Sequence, residues 1–498
     1  MDCTITRRSS KQDGARLLFQ YEGEAMSPET ATFDRTAHGA IRSVRTSGAC
    51  TGKFLEIVLL RADYGPLVLL GLGKRTEMTQ DRLRQGMGSA AKAIRDAALD
   101  RFCVAIPSIP NTPPSDVVQA MTEGVCLGLY RFLAHKTDPT PLRAIQALTL
   151  IAPKGTDLAG MSLLRARAQR GIQIAEGVNA ARDLCNGPSN VVTPARLAEE
   201  ARAIAATWNL SVSVLEREEM VGMGGLLGVS KGTMEPPKFI VLEYRGASPS
   251  SAPVVLVGKS VTFDSGGISL KPAEDMDRMK YDMTGGAIVL QTIKVAAQLR
   301  LTVNLVGLLP ATDNMPSGSA LHPGDVVTTL SGKTVEVVNT DAEGRLCLAD
   351  ALAYAARYKP ALLIDMATLT GAASVALGTH AMALFCNHPT LATQLCAAGD
   401  ESGERVWQLP VWDDYLDQIK SDVADLKNTG GRGGGAITAA LFLKQFVGTT
   451  PWAHLDIAGV SWNSEAPRAY LPKGATGVGL RFLIAYLTRV AHTQKGAA

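Results

Sequence analysis

Charged side chains follow directly after apolar segments at three places in the second half of the chain. In the stretch VVLVGKSVTFDSGGISLK, residues 254–271, an apolar run ends just before Lys259 and Asp264. Charged groups at the end of a buried strand cost free energy unless they are paired or bind a metal. The other members lie in MKYDMTGG and NTDAEGRL, and the full set is Lys259, Asp264, Lys271, Asp282, Asp341, Glu343 and Arg345.

The spacing within NTDAEGRL, residues 339–346, adds to this pattern. Asp341, Glu343 and Arg345 stand two apart, so they project to the same side of an extended segment. Four crowded acidic groups would repel one another and raise each other's pKa. A pair of divalent cations about 3.5–4 Å apart, held by bridging carboxylates, removes this conflict. The combination favours a metal site.

Each of these residues has a simpler explanation when it is taken alone. Asp282 is placed to cap the helix that follows it, and Arg345 could pair with a carboxylate on its own helix. Single charged residues of this kind are more often surface ion pairs than metal ligands. The metal prediction therefore depends on the linked pattern.

That linked pattern resembles the leucyl aminopeptidase family, also called the cytosol aminopeptidase or M17 family. The resemblance covers about two thirds of the chain, beginning near Gly171 with GVNAARDLCNGPSN, and the first 150 residues carry no motif of the family. The motif NTDAEGRL is specific to this family. The other matching stretches are VGKSVTFDSGGISLKP, MKYDMTGGA, DMATLTGA, HLDIAG and YLPKGATG.

The resemblance implies two divalent metal ions per subunit. One would be bound by Lys259, Asp264, Asp282 and Glu343, and the other by Asp264, Glu343 and both the side chain and the backbone carbonyl of Asp341. A lysine ligand has to be neutral, and a bound dication and desolvation both lower its pKa. The ligand types suit Mn²⁺, Zn²⁺, Co²⁺ or Mg²⁺ without choosing between them.

The resemblance also implies how the residues share the reaction, which releases N-terminal amino acids from peptides with a free N-terminus. Asp282 would bind the α-amino group, Lys271 would donate to the developing oxyanion, and a bicarbonate held by Arg345 would be the general base. Leucine and other apolar side chains are the expected preference, although Ser461 stands where an apolar residue is common. The residues expected to contact that side chain are Met279, Thr368, Leu369, Gly371 and Ala458.

The elements that must position these residues alternate between strands and helices, which predicts an α/β fold. We expect a smaller N-terminal α/β domain over residues 1–158, a linker helix over 159–186, and a larger C-terminal catalytic domain over 187–498. The apolar runs of the larger domain are typical of a mostly parallel central sheet flanked by helices, where sites lie beyond the carboxyl ends of the strands. Predicted strands are 54–60, 67–72, 103–107, 144–151, 238–244, 253–258, 302–309 and 361–366, and predicted helices are 81–98, 116–133, 160–185, 285–298, 346–357, 436–446 and 476–490.

The composition narrows the class of protein. A net charge of +3 over 498 residues gives no reason to expect a nucleic-acid or membrane partner. The eight cysteines form no C-x-x-C pair, so neither a thiolate zinc site nor a disulfide framework is expected. The N-terminus has no apolar signal segment, and Arg7, Arg8 and Lys11 are interpreted as a solvated tail. We expect a cytoplasmic protein.

Several other interpretations carry less weight. The stretch NTGGRGGG, residues 428–435, lacks the GK[ST] ending of a phosphate loop and is expected to border the active site. His454 is expected to be a satisfied buried residue near a strand end, and Cys347 a small buried apolar one. A dizinc phosphoesterase is the alternative enzyme, and a DNA-binding regulator the alternative class. The family resemblance further implies a homohexamer.

Overall fold

The chain forms two compact units. The computed structural model describes residues 1–62, 65–138 and 144–496, without the side chains of Lys11 and residues 494–496. Unit 1 comprises Met1–Glu176 with Glu465–Lys473, and unit 2 comprises Gly177–Ser464 with the remainder of the chain.

Unit 1 contains a six-stranded sheet with the order β1-β6-β5-β2-β4-β3. Its strands pair in parallel except β3, which is antiparallel to β4. The strands are β1 (Asp2–Thr6), β2 (Ala15–Tyr21), β3 (Ile57–Ala62), β4 (Gly65–Gly73), β5 (Arg101–Ala105) and β6 (Ala147–Ile151), and the helices are α1 (Pro28–Thr36), α2 (Ala40–Thr46), α3 (Gln80–Asp96) and α4 (Pro114–Gly128).

Helices α3 and α4 pack closely because a small residue lies at their contact. A Cβ atom added to Gly124 would lie 2.3 Å from the carbonyl oxygen of Arg84, so a larger residue would force the helices apart. Arg84 and Glu123 form a buried ion pair here at 2.7 Å. The N-terminus of α3 is capped by Thr79, whose side chain accepts a hydrogen bond from the backbone of Arg82.

Unit 2 holds most of the long apolar elements. Its elements, beginning with the helix that starts in unit 1, are α5 (Leu158–Asn186), α6 (Pro194–Trp208), β7 (Ser211–Leu215), α7 (Gly224–Val229), β8 (Lys238–Arg245), β9 (Val254–Gly258), β10 (Ser260–Asp264), α8 (Thr284–Gln298), β11 (Asn304–Asn314), β12 (Val326–Thr328), β13 (Thr334–Glu336), α9 (Gly344–Ala355), β14 (Leu362–Ala367), α10 (Gly371–Leu377), β15 (Met382–Cys386), α11 (Pro389–Ser402), β16 (Val406–Gln408), β17 (Leu426–Lys427), α12 (Gly435–Lys444), β18 (Trp452–Asp456), β19 (Trp462–Asn463), β20 (Gly474–Ala475) and α13 (Leu480–Gly496).

A nine-stranded sheet forms the centre of unit 2. Its order is β16-β15-β18-β14-β9-β11-β8-β7, with β10 beside β11, and its middle strands β18, β14, β9 and β11 run parallel. Strand β9 is buried along its whole length, and its Val255 and Val257 belong to one apolar cluster with residues of α9 and α12. Burial on both faces explains why this strand is apolar at every position.

The predicted α/β fold, with a mostly parallel central sheet in its larger part, is confirmed. The bounds of two helices differ most from the prediction, since α4 already ends at Gly128 and α13 runs from Leu480 to Gly496. Among the described helices, none combines the length and the apolar character that crossing a bilayer requires. The eight cysteines, all described, are free thiols.

The prediction of a solvated N-terminal tail is wrong. Strands β1 and β2 lie within the sheet of unit 1, where β1 pairs with β6. Arg7 and Arg8 are exposed, but they lie in the bend between these strands. Strand β1 exposes Asp2 and Thr4 on one face, so DCTIT has only Cys3 and Ile5 as apolar residues and shows no apolar run.

Asp350 offers a test of the core of unit 2. Its buried carboxylate accepts hydrogen bonds from the backbone N–H groups of Leu226 (2.9 Å) and Leu330 (2.8 Å). We predict that Asp350→Ala lowers the free energy of unfolding by about 2–4 kcal/mol, because two buried donors lose their acceptor. Denaturant unfolding followed by tryptophan fluorescence measures this, since all five tryptophans lie in unit 2.

The exposed Asp417, which pairs with Lys420 on the surface, provides the control. Asp417→Ala should change the stability by less than about 0.5 kcal/mol. Equal stability of the two variants would contradict the role assigned to Asp350.

Candidate functional site

Lys259 lies at the junction of two strands that together form one edge of the site. Strand β9 ends at Gly258 and β10 begins at Ser260, and both pair with β11. The backbone N–H of Lys259 donates to the carbonyl of Met366 (3.1 Å), and its own carbonyl accepts from Gly286 (2.8 Å). The lysine backbone is thus held between β14 and the start of α8.

The Lys259 side chain is buried among acidic groups. Its Nζ lies 2.7 Å from Asp282 Oδ2 and 2.9 Å from Glu343 Oε1, and it donates to the carbonyl of Thr368 at 3.0 Å. Gly344, the residue after Glu343, leaves room for this amine, because a Cβ atom there would lie 2.5 Å from Lys259 Cε.

Asp264 ends β10 and is oriented by its neighbours. Its Oδ1 accepts from the backbone of Gly266 (2.9 Å) and from Asn314 Nδ2 (2.8 Å). Gly266 has a φ of +89°, a conformation that other residues rarely adopt. Asn314 also donates to the carbonyl of Thr340 (3.0 Å), so it links Asp264 to the segment that carries Asp341 and Glu343.

Lys271 lies between two further carboxylates. Its Nζ is 2.7 Å from Asp264 Oδ2 and also contacts Asp341 Oδ1. The side chain of Asp341 is 33% exposed and that of Lys271 is 20% exposed, whereas Asp264 is buried. This end of the cluster therefore lies closer to solvent than the end that contains Lys259.

The charges of the cluster shift one another's pKa values. Burial and the neighbouring Asp264 raise the pKa of Glu343 and of Asp341, and burial, opposed by Lys259, raises that of Asp282. Burial disfavours the Lys259 ammonium, but the surrounding carboxylates outweigh it and raise its pKa well above its ordinary value. The carboxylates are crowded enough to favour added positive charge.

A cavity of about 370 Å³ opens onto this cluster. Its wall combines the charged groups with apolar and small residues, and all the predicted site residues except Arg345 line it. The expected side-chain pocket residues on this wall are Met279, Thr368, Leu369, Gly371 and Ala458. Ser461 is not among the lining residues, because it is buried and its hydroxyl donates to the carbonyl of Ile457 (2.7 Å).

Arg345 is buried beside the cluster in the first turn of α9. Its Nη1 donates to the carbonyl of Asn428 (2.7 Å), while its buried Nε has no hydrogen-bond partner among the described residues. Burial lowers the pKa of this guanidinium to about 10, although Glu343 opposes the shift. A buried cation with a free donor is suited to bind a small anion.

Asn314 lies outside every motif, whereas Asp456 and Asn428 were visible only as members of HLDIAG and NTGGRGGG, without a role. The signal that identifies Asn314 and Asp456 as supporting residues is their burial and hydrogen bonding. Asn428 is fully buried, and its amide oxygen accepts from the backbone of Val338 (3.0 Å) while its Nδ2 donates to the carbonyl of Asn339 (2.7 Å). It fixes the segment that carries Asp341.

His454 and Cys347 are buried, as the sequence predicts, and neither lines the cavity. His454 lies inside β18 rather than at its end, and its Nδ1 is 2.5 Å from Asp365 Oδ1. Its buried Nε2 has no hydrogen-bond partner among the described residues, so the prediction that it is satisfied holds for one ring nitrogen only. Asp365 Oδ2 also accepts from Trp452 Nε1 (2.7 Å). Burial raises the pKa of the Cys347 thiol well above its ordinary value, so this thiol is unsuited to act as a nucleophile.

The geometry indicates the class of protein. Oxygen atoms of Asp264, Asp341 and Glu343 lie within 4.8 Å of one another, close enough to share a metal ion, and Lys259 and Asp282 adjoin them. Such a set at the carboxyl ends of parallel strands, facing a cavity with apolar walls, is typical of hydrolases that use divalent metals.

Comparisons with known proteins identify the family. Residues 179–484 match the cytosol aminopeptidase family, catalytic domain, and residues 17–139 match its N-terminal domain. A probable cytosol aminopeptidase of Roseiflexus castenholzii is 51% identical over 424 residues, covering 84% of this chain and 86% of that protein. One of Nitrosococcus oceani is 44% identical over 496 residues, covering 97% of each.

Solved structures agree with these relatives. A mutant of tomato leucine aminopeptidase superposes with a TM-score of 0.88 at 33% identity, covering 98% of this chain and 96% of that one. The bottromycin maturation enzyme BotP in complex with Mn gives 0.85 at 33% identity, covering 96% and 100%. The chain belongs to the cytosol aminopeptidase family, and it is an aminopeptidase.

Asn314 and Asn304 stand at opposite ends of β11 and provide a matched pair. Asn304 binds the backbone of Ala247 (3.0 Å), Ser248 (2.8 Å) and Ser251 (3.0 Å), none of which lines the cavity. We predict that Asn314→Ala weakens Mn²⁺ binding about tenfold, because Asp264 loses the donor that orients it. Isothermal titration calorimetry measures this.

Asn304→Ala should bind Mn²⁺ as the wild type does, although both variants lose buried hydrogen bonds. If the two variants bind the metal equally well, Asn314 does not orient the site.

Proposed function

We propose that this aminopeptidase uses two divalent metal ions to release apolar N-terminal residues, leucine among them, from peptides. The observation that carries the proposal is the position of the carboxylate and lysine cluster on the wall of a cavity that also has apolar walls. The manganese complex of the related BotP supports a divalent metal.

The donor groups fit two metal positions. Lys259, Asp264, Asp282 and Glu343 would hold the more buried ion, and Asp341 would hold the more exposed one with Asp264 and Glu343. When bound, such metals lower the pKa of a shared water and polarise the scissile carbonyl. Manganese and zinc both suit these ligands, as do cobalt and magnesium.

The chain's own residues orient the substrate. The carboxylate of Asp282 accepts from the free α-amino group, and Thr368, whose hydroxyl donates to Asp282 Oδ1 (2.7 Å), fixes the direction of that carboxylate. Recognition of a free amine at this depth restricts cleavage to the first peptide bond. The side chain of the first residue then lies against Met279, Leu369 and Ala458.

Lys271 is the electrophilic group of the proposed reaction. Its ammonium lies at the more exposed end of the cluster, and burial is outweighed there by Asp264, Glu343 and Asp341, which raise its pKa. It therefore stays charged at neutral pH and donates to the oxyanion that forms on the scissile carbonyl. A charge-assisted hydrogen bond of this kind contributes about 3–4 kcal/mol to lowering the barrier.

Arg345 would hold a bicarbonate that accepts the proton of the attacking water. The unpartnered Nε of its buried guanidinium supports this role, since a bound anion would satisfy the donor and offset the buried charge. Among the residues that line the cavity there is no histidine to act as a base instead. The family resemblance supports a homohexamer and a cytoplasmic location.

Hydrolysis of aminoacyl anilides tests the proposed function. With Mn²⁺ or Zn²⁺ present, Leu- and Met-anilides should be cleaved at least about tenfold faster, in kcat/KM, than Glu-anilide, since the pocket walls are apolar and acidic groups outnumber the two lysines on them. A chelator should abolish the rate, and N-acetyl-Leu-anilide should be refused because its amine is blocked. Equal cleavage of the acetylated and free substrates would refute the proposal.

The Lys271→Ala variant tests whether Lys271 acts as the electrophile or as a metal ligand. We predict that this variant folds and keeps its metal content but loses a factor of about 10²–10³ in kcat, because only the transition state needs the ammonium. Metal analysis by mass spectrometry and steady-state kinetics measure both properties.

Lys420→Ala, which removes an exposed lysine of the same unit, should leave both properties unchanged. Loss of metal from Lys271→Ala would instead place this lysine among the ligands.

A further inference from the structure

Two loops form the wall of the cavity on the side of β14 and β18. The two strands pair in parallel, with Asp365 opposite His454 and Ala367 opposite Asp456. The first loop continues from β14, carries Leu369 and leads to Gly371 at the start of α10, and the second continues from β18 and carries Ala458; all three residues line the cavity. The spacing of the two loops therefore sets the width of the pocket on this side.

The carboxylate of Asp456 ties these two loops together. Its Oδ1 accepts from the backbone N–H groups of Leu369 (3.2 Å) and Ala458 (3.1 Å), and its Oδ2 accepts from the hydroxyl of Thr370 (2.7 Å). One side chain thus binds the first loop at two points and the second loop at one.

The bond to Thr370 extends this link to the next helix. The Thr370 side chain also accepts from the backbone N–H of Ala373 (3.1 Å), which caps the N-terminus of α10. Gly371 and Ser374 of α10 line the cavity. Asp456 therefore holds the start of α10 as well as the two loops.

Asp456 acts from behind the wall. It is 2% exposed and is not among the residues that line the cavity. Two residues earlier, the contact between His454 and Asp365 joins the same two strands, and beyond the strands Asp456 is a side chain that bonds to both loops.

We propose that Asp456 is a positioning residue that sets the size of the pocket for the first side chain of the substrate, and thereby the preference for large over small apolar residues. The inference rests on the proposed function in one respect, the assignment of this pocket to that side chain. A buried carboxylate with three donors from two loops holds their separation more tightly than neutral acceptors would, because each of these hydrogen bonds is charge-assisted.

A purely structural role would give a different result. Asp350 is also a buried carboxylate that accepts backbone N–H groups, from Leu226 and Leu330, but none of these three residues lines the cavity. Removing it should destabilise unit 2 without changing the pocket. Asp350→Ala is therefore the matched control for loss of stability.

The experiment compares Leu-anilide with Gly-anilide, both with Mn²⁺, for the wild type, Asp456→Ala, Asp456→Asn and Asp350→Ala. We expect Asp456→Ala to lower the Leu-to-Gly ratio of kcat/KM about tenfold, mainly through a higher KM for Leu-anilide, with its metal content unchanged. Asp456→Asn keeps an acceptor for both N–H groups and a partner for Thr370, so its ratio should stay within about 1.5-fold of the wild type.

The ratio for Asp350→Ala should equal that of the wild type. An unchanged ratio in Asp456→Ala, with both rates reduced by the same factor, would overturn the proposal. If Asp456→Ala does not fold, Thr370→Val removes one of the three bonds, together with the cap on α10, while valine keeps the size of this cavity-lining residue. It should lower the ratio about threefold, and an unchanged ratio there would equally overturn the proposal. If the wild type itself cleaves neither anilide, this result would count against the proposed function instead.

Discussion

The repulsion among four carboxylates at the end of one sheet is the constraint on which the rest of unit 2 depends. Asp264, Asp282 and Glu343 are buried and Asp341 is partly so, and no arrangement of carboxylates alone is stable at that depth. Two lysines enter between them, each within ionic contact of two acids. The same crowding that costs free energy also gives the site its affinity for positive charge.

This constraint explains why the site is built on strand ends and helix starts. Each charged residue lies a few positions from the end of a strand or the start of a helix, so neighbouring backbone groups can orient it. Asn314, Asn428 and Asp456 complete this framework, and each joins two segments that are distant in sequence. Because the supports are fixed by burial, the charged groups cannot move apart to relieve their repulsion.

The central strands and the charged motifs could be predicted from the sequence, because β9, β11 and β14 each contain an apolar run and the residues of NTDAEGRL stand together. The roles of the supporting residues could not. Asp456 belongs to the stretch HLDIAG, but its role appears only when the loops that it binds are placed beside it. Strand β1 was missed for a different reason, since DCTIT alternates but has only two apolar residues, Cys3 and Ile5, and no apolar run. Pairing with β6, a long-range contact, makes it a strand.

Gly344 has a consequence for reading the sequences of other members of the family. Its missing side chain leaves the space that the amine of Lys259 occupies. A homologue with a larger residue here would retain every charged residue of the cluster and yet displace one of them. In an alignment, such a chain would keep all the charged residues of the site although its enzymatic activity would be lost. Gly344 therefore indicates whether a homologue keeps the activity as well as any acidic residue beside it does.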